Sequence, residues 1–408
     1  MKKFFMLLPF CALFYINCPA TWENACKIYL QQGEYVRAKE QAQAGIQAEP
    51  ENYRAYCLLA KAETGLGNYI EASKAFREAY RKDSIATINW LKTDEGGKNI
   101  SVFWQTFYNT ALKMSLDKNY QEALIYIQFA KKLDSTNVSQ LILEGNIYAD
   151  MGNNNQAMNS YLKILEFDKD NAEASYFIAK IYFDRQQYDS SASYVGSSIK
   201  TFEKEYGKLK NLLFKNVEFT QDLSAELITL FKEKKKEALD QFIKVKLGYD
   251  GGLSAQEKNV DKFVKVNEEY GRSEYLAGIV YLNLRNDTLA IVHLTKAAEL
   301  LIDDPDALYF LGELLIRKNK WAEARKYFDK LVTAKPDDFA GWFYIGVCYA
   351  QEKNYKKAIE IYEEKALPLE PTNIDLLTNL AYAYRESGNT KKAMEYLQKA
   401  DKLLKEKK

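Results

Sequence analysis

The chain of 408 residues holds one histidine, His293, set between Val292 and Leu294. A single imidazole removes most general acid–base and metal-ligand schemes, which draw on histidine first. Beyond the first twenty residues the cysteines are Cys26, Cys57 and Cys348, an odd set with no C-x2-C pair. That spacing supports neither a zinc site nor a dithiol redox centre. A disulfide between Cys26 and Cys57 is open in an oxidising compartment; small buried hydrophobes are the other reading. Gly248-Tyr-Asp-Gly-Gly252 lacks the Gly-Lys-Ser/Thr of a phosphate loop and reads as a turn. Lys234-Lys235-Lys236 reads as a solvated helix face. With 57 basic and 56 acidic residues the net charge is +1, which gives no field for nucleic acid. The sequence therefore predicts no catalytic residue, no metal and no cofactor, and a chain that is not an enzyme.

What remains is a surface, and the elements that carry it are helical. Over 305–338, Leu308, Leu311, Gly312 and Leu315 are spaced i, i+3, i+4, i+7, one stripe of a helix. Trp321, Ala324, Phe328 and Leu331 form a second stripe after Lys318-Asn319-Lys320. Gly312 and Ala324 are small where two antiparallel helices approach. The same landmarks recur in phase. Ala38 to Ala72, Ala123 to Ala157, Ala157 to Ser191, Ala290 to Ala324 and Ala324 to Ala358 are each 34 residues, and Ala358 to Ala393 is 35.

This pattern resembles the tetratricopeptide repeat (TPR), a 34-residue helix–turn–helix with an L-G-x2-Y, A-x3-F, P signature. The resemblance implies an all-α, right-handed superhelical solenoid of antiparallel helix pairs. Nine repeats follow, over 21–52, 53–86, 104–137, 138–171, 172–205, 271–304, 305–338, 339–373 and 374–407. The expected division is a leader over 1–20, an N-terminal array over 21–205, a degenerate helical segment over 206–270 and a C-terminal array over 271–408.

Two stretches break the step. Seventeen extra residues, 87–103, read as a prolonged helix carrying Trp90 and Leu91 and then an exposed loop with Glu95-Gly96-Gly97-Lys98 and the Asn99-Ile100-Ser101 sequon. Segment 206–270 is close to two further periods and reads as two degenerate repeats continuous with the array. Its stripe is Leu223, Leu227, Leu230, Phe231, Ala238, Phe242 and Val245, and Ser254 to Glu257 has the form of a capping box. Deleting 206–270 is expected to destabilise the flanking repeats by removing a neighbour from each. The last helix, from Thr390, turns Lys392, Glu395, Lys399 and Lys402 outward, as suits the end of a solenoid.

The TPR resemblance also implies a concave face lined by the first helices. Its groove positions carry Tyr108, Ile142 with Leu143, Tyr176 with Phe177, Tyr275 with Leu276, Tyr309 with Phe310, and Phe343 with Tyr344. The expected protein-binding groove is therefore Tyr108, Tyr176, Phe177, Tyr275, Tyr309, Phe310, Phe343 and Tyr344, holding an extended segment or helix of a protein partner. The carboxylate-gripping clamp of some TPR co-chaperones is absent, because Glu23, Lys27, Leu58, Gln105 and Asn109 stand at its positions.

Lys2-Lys3, the apolar run Phe4 to Ile16 and Cys18-Pro19-Ala20 form a secretory leader cut before Thr21. The expectation is a periplasmic or secreted scaffold of the cell envelope. The rival is lipidation at Cys18, giving an outer-membrane lipoprotein within an assembly complex; an enzyme subunit with its chemistry in 206–270 is the remaining alternative.

Overall fold

The computed structural model describes residues 21–93, 100–301 and 304–406. The leader with Cys18, Glu95-Gly96-Gly97-Lys98 and the sequon's Asn99 lie outside them. Among the described residues there are helices and no strands, as the repeat pattern predicts. No helix among them is long and apolar enough to cross a membrane. They form two compact units, one ending at Ile164 and the other beginning at Leu165. The pair at 172–205, expected at the end of the N-terminal array, therefore belongs to the C-terminal unit.

The N-terminal unit holds α1 (Thr21–Gln32), α2 (Tyr35–Ala48), α3 (Tyr53–Gly65), α4 (Tyr69–Lys82), α5 (Ser84–Lys92), α6 (Ile100–Leu116), α7 (Tyr120–Leu133), α8 (Val138–Asp150) and the body of α9 (Asn154–Phe167). The insertion is not a prolongation of α4. Asp83 is extended (φ −150°, ψ 101°), which ends α4, and its carboxylate accepts from Ala86 N–H, which starts α5. Trp90 and Leu91 then reach the core, where the Trp90 ring lies 5.8 Å from Phe103 and 6.4 Å from Phe76.

The C-terminal unit holds α10 (Ala172–Asp184), α11 (Tyr188–Leu213), α12 (Gln221–Lys232), α13 (Lys236–Val245), α14 (Gly252–Asn283), α15 (Asp287–Leu300), α16 (Pro305–Arg317), α17 (Trp321–Ala334), α18 (Phe339–Gln351), α19 (Tyr355–Ile361), a π-helical turn (Tyr362–Ala366), α20 (Leu367–Leu369), α21 (Ile374–Glu386) and α22 (Thr390–Glu406). Two local devices repeat through both units. Residues 33, 67, 118, 152, 186, 285, 319, 353 and 388 turn a first helix into its partner with a left-handed backbone, at φ between 57° and 90°. Where the residue is Gly33, Gly67, Gly152 or Gly388 that conformation is free of strain, and Lys118, Gln186, Arg285, Asn319 and Lys353 adopt it with a Cβ. The second device is a glycine on the first helix facing a large side chain sixteen positions on. A methyl at Gly312 would stand 2.6 Å from the Phe328 ring, and Gly145, Gly278 and Gly346 meet Tyr161, Leu294 and Tyr362 in the same way.

The 35-residue step has a local cause. Pro368 has no N–H to give, and its ring crowds the preceding turn. The helix widens just before it, so that Leu367 N–H bonds the Tyr362 carbonyl five residues back, absorbing one extra residue.

Segment 206–270 differs from two degenerate repeats. α11 and α14 run past the normal repeat length and pack antiparallel, with Ser198 Oγ 3.0 Å from Ser273 Oγ and the Tyr206 ring 5.4 Å from Phe263. Thus 172–205 and 271–304 stack directly on each other, and α12–α13 close the tip of the long hairpin over Leu213, Phe214, Val260 and Phe263. On α13 the buried face is Leu239, Phe242 and Ile243, continued by Leu247 just beyond the helix; Ala238 and Val245 of the expected stripe are exposed. The α13 register is set by Lys234, left-handed at φ 55°. Lys234 and Lys235 therefore lie in a turn and Lys236 opens α13, with all three side chains exposed. The expected capping box does not form, because α14 begins at Gly252 and Ser254 Oγ donates to the Gly251 carbonyl instead. Gly248 to Gly252 is a turn, tied by Asn216 Nδ2 donating to the Gly248 carbonyl.

Candidate functional site

In the C-terminal unit the first helices of the pairs are α10, α14, α16, α18 and α21. Consecutive residues on a helix point about 100° apart, so paired aromatics face different neighbours. Phe310 turns toward α14, where its ring centre is 6.4 Å from Tyr275. Tyr309 turns toward α18 and meets Tyr344 edge-on at 5.9 Å. Tyr309 and Phe310 are themselves 5.5 Å apart, and Phe343 and Tyr344 are 5.3 Å apart. A continuous ladder Tyr275–Phe310–Tyr309–Tyr344–Phe343 thus crosses three successive first helices, α14, α16 and α18. All five rings are half-buried. One side is packed, as Tyr344 stacks on the buried Phe328 at 5.1 Å, and the rest stays accessible.

Tyr176 and Phe177, on α10, form their own edge-to-face pair at 5.4 Å and are also half-buried. Tyr108 belongs to the N-terminal unit, where it stacks on Trp104 at 5.0 Å. Ile142, Leu143 and Leu276 are buried, so those groove positions serve packing. The eight aromatics are neither plain core nor free surface; each combines a ring contact with partial exposure.

The ladder has a carboxylate rim, none of it among the groove residues expected from the sequence. Burial first, then Asp306 and Asp304, push the Tyr275 phenol up to about 12. Burial, the Tyr344 hydroxyl, Glu313 and Asp338 raise Tyr309 as well. Burial and Glu269 raise Tyr176. These phenols are hydrogen-bond donors across the physiological range. The signal was present in Asp304-Pro305-Asp306, which the helix start alone explained: Asp304 caps α16 by accepting from Ala307 N–H. A cleft of about 390 Å³ lies between the start of α10, α11 and α14, lined by Asp170, Glu173, Glu205 and Glu269 with Lys262 and Lys265.

The groups singled out for chemistry lie elsewhere, in packing roles. His293 Nδ1 is 2.6 Å from Glu274 Oε2, and its ring stacks on Tyr281 at 5.3 Å. Cys26, Cys57 and Cys348 are buried thiols, with no disulfide among the described residues. Burial pushes Cys26 up to about 11 and Cys348 to about 12, away from nucleophilic thiolate. Cys26 donates to the Ala38 carbonyl at 3.2 Å. At the absent clamp, Lys27 closes on Glu23 at 2.6 Å and Leu58 is core.

Sequence models described as "Tetratricopeptide repeat" match residues 26–84, 275–339, 309–374 and 349–405, and one described as "TPR repeat" matches 145–186. Together they cover more than half of the chain. A tetratricopeptide repeat-containing protein of Caenorhabditis elegans is 31% identical over 124 residues, which is 30% of this chain and 16% of the nematode protein. A TPR repeat-containing protein of Methanocaldococcus jannaschii is 24% identical over 91% of this chain and 74% of its own length. Among solved structures, YrrB, described as a TPR protein with an unusual peptide-binding site, is 18% identical with a TM-score of 0.41, covering 62% of this chain and 95% of its own. PilF of Pseudomonas aeruginosa is 12% identical with a TM-score of 0.44, covering 67% and 94%.

Proposed function

This chain belongs to the tetratricopeptide repeat family, and from that premise we propose that it is a non-catalytic scaffold whose C-terminal unit grips an extended segment or helix of a partner protein. The observation that carries this reading is the half-buried ladder from Tyr275 to Phe343. Aromatics held rigid on one side and open on the other lose little entropy on binding, and such residues recur as interface hot spots. The rim of Asp304, Asp306, Glu313 and Asp338 favours a partner segment that mixes apolar with basic side chains. Replacing Tyr309 and Phe310 together with alanine should weaken capture of partner from envelope extract by about 2 kcal/mol or more. The melting temperature should fall by less than the same change at buried Phe328 produces. Capture that survives the double substitution in a folded protein would move the site off this ladder.

We place the scaffold in the cell envelope, soluble after export. The basic start, apolar run and Cys18-Pro19-Ala20 support that placement. Intact mass of the native protein should match a chain beginning at Thr21. A diacylglycerol-bearing Cys18 would make it a membrane-anchored lipoprotein, and a retained Met1 in a cytosolic fraction would remove export altogether.

A further inference from the structure

Recessed lysines in the N-terminal unit close on carboxylates, with one exception. Lys39 meets Glu63 at 2.8 Å, Lys82 meets Glu51 at 2.5 Å and Lys131 meets Glu144 at 2.8 Å. Lys61, on α3, is half-buried where α1, α3 and α5 come together. Its Nζ lies 5.9 Å from the ring centre of Trp90, itself buried. Among the described residues it has neither an ion pair nor a hydrogen bond. The carboxylate on the adjoining helix is already taken, because Glu23 is 2.6 Å from Lys27 and 3.5 Å from Arg54. Burial lowers the Lys61 pKa; the Cys26 thiol opposes that shift and Lys27 adds to it. An ammonium desolvated without a counter-ion costs stability, and an indole face returns only part of the loss.

We propose that Lys61 is an anchor for a carboxylate of a partner protein segment, a site in the N-terminal unit separate from the aromatic ladder. One uncompensated ammonium balances one carboxylate, whereas a phosphate dianion would need a second free cation. Lys27, whose charge acts on Lys61, is committed to Glu23. A carboxylate docking on Nζ restores the missing ion pair, makes a charge-assisted hydrogen bond and returns the Lys61 pKa upward. The site rests on unit-one residues alone, so it stands or falls independently of the ladder.

The test uses the exported chain and calorimetric titration with three short synthetic peptides. One has internal glutamates and blocked ends, one has glutamines in their place, and one has glutamines with a free terminal carboxylate. The glutamate peptide should bind, and Lys61→Met should weaken it about tenfold or more. Lys61→Arg should keep the affinity within about threefold, because the cation remains. Lys61→Met should melt no lower than the unaltered protein, since it removes an unpaired half-buried charge. Dependence on Lys61 for the free-terminus peptide alone would identify the carboxylate as a chain end. Equal binding of the blocked glutamate and glutamine peptides, equal binding to Lys61→Met, or no binding of either carboxylate peptide would overturn the anchor. So would a melting temperature of Lys61→Met that drops along with affinity.

Discussion

Replacing Phe328 with alanine should destabilise the C-terminal unit by about 3–5 kcal/mol, the range for truncating a fully buried aromatic. The ring is completely buried, stacks on Tyr344 and fills the space left by Gly312. Gly312→Ala should cost about 1–3 kcal/mol for the opposite reason, because its new methyl would stand 2.6 Å from that ring. The two losses should not add. Once Phe328 is alanine, the methyl has room, so the double variant should be at least about 1 kcal/mol more stable than the summed losses. Urea unfolding followed through the tryptophans of α17 and α18 measures all three variants. Strict additivity would mean the helices part freely at this crossing and the small-against-large pairing sets no spacing. Phe328→Ala should also weaken partner capture, because Tyr344 loses the face it stacks on.

The repeats were legible because one spatial constraint acts every 34 residues. Gly278, Gly312 and Gly346 mark the close helix crossing, and Ala290, Ala324 and Ala358 mark the helix that crosses there; all six are buried. The breaks were less legible, since composition there is compatible with more than one path. Asp83 ends one helix with its extended backbone and starts the next with its carboxylate, while its neighbours Lys82 and Ser84 continue a helical pattern. On α13, Ala238 and Leu239 both suit a helix face, and only the left-handed Lys234 decides which turns inward. The 35-residue step was visible as a number, but its π-helical turn follows from Pro368, which the repeat pattern treats as ordinary. Groove positions were read from the family pattern, which does not distinguish the buried Ile142 from the half-buried Tyr309. That distinction depends on the size of what the next helix presents.

Excising 206–270 entirely should be milder than excising only α12 and α13. The direct stacking of α11 on α14 reverses the expectation that each flanking repeat would lose its neighbour. Joining residue 205 to 271 leaves repeats 172–205 and 271–304 as adjacent units of ordinary length, with the Ser198–Ser273 contact retained. The stack keeps its nearest-neighbour interfaces, which is what holds a solenoid together. Removing 218–249 alone strips the cover from Leu213, Phe214, Val260 and Phe263, buried side chains at the hairpin tip. Each is worth about 1.5–3 kcal/mol when moved from core to water. The smaller deletion also loses Tyr249 Oη donating to the Leu212 carbonyl and Leu253 N–H donating to Asp240. The larger deletion should therefore give a monomer with cooperative melting, and the smaller one a protein with a lower midpoint and a tendency to aggregate. Size-exclusion chromatography with thermal melts separates the two outcomes. If the larger deletion collapses while the smaller one folds, the long hairpin itself is the platform on which the later repeats assemble.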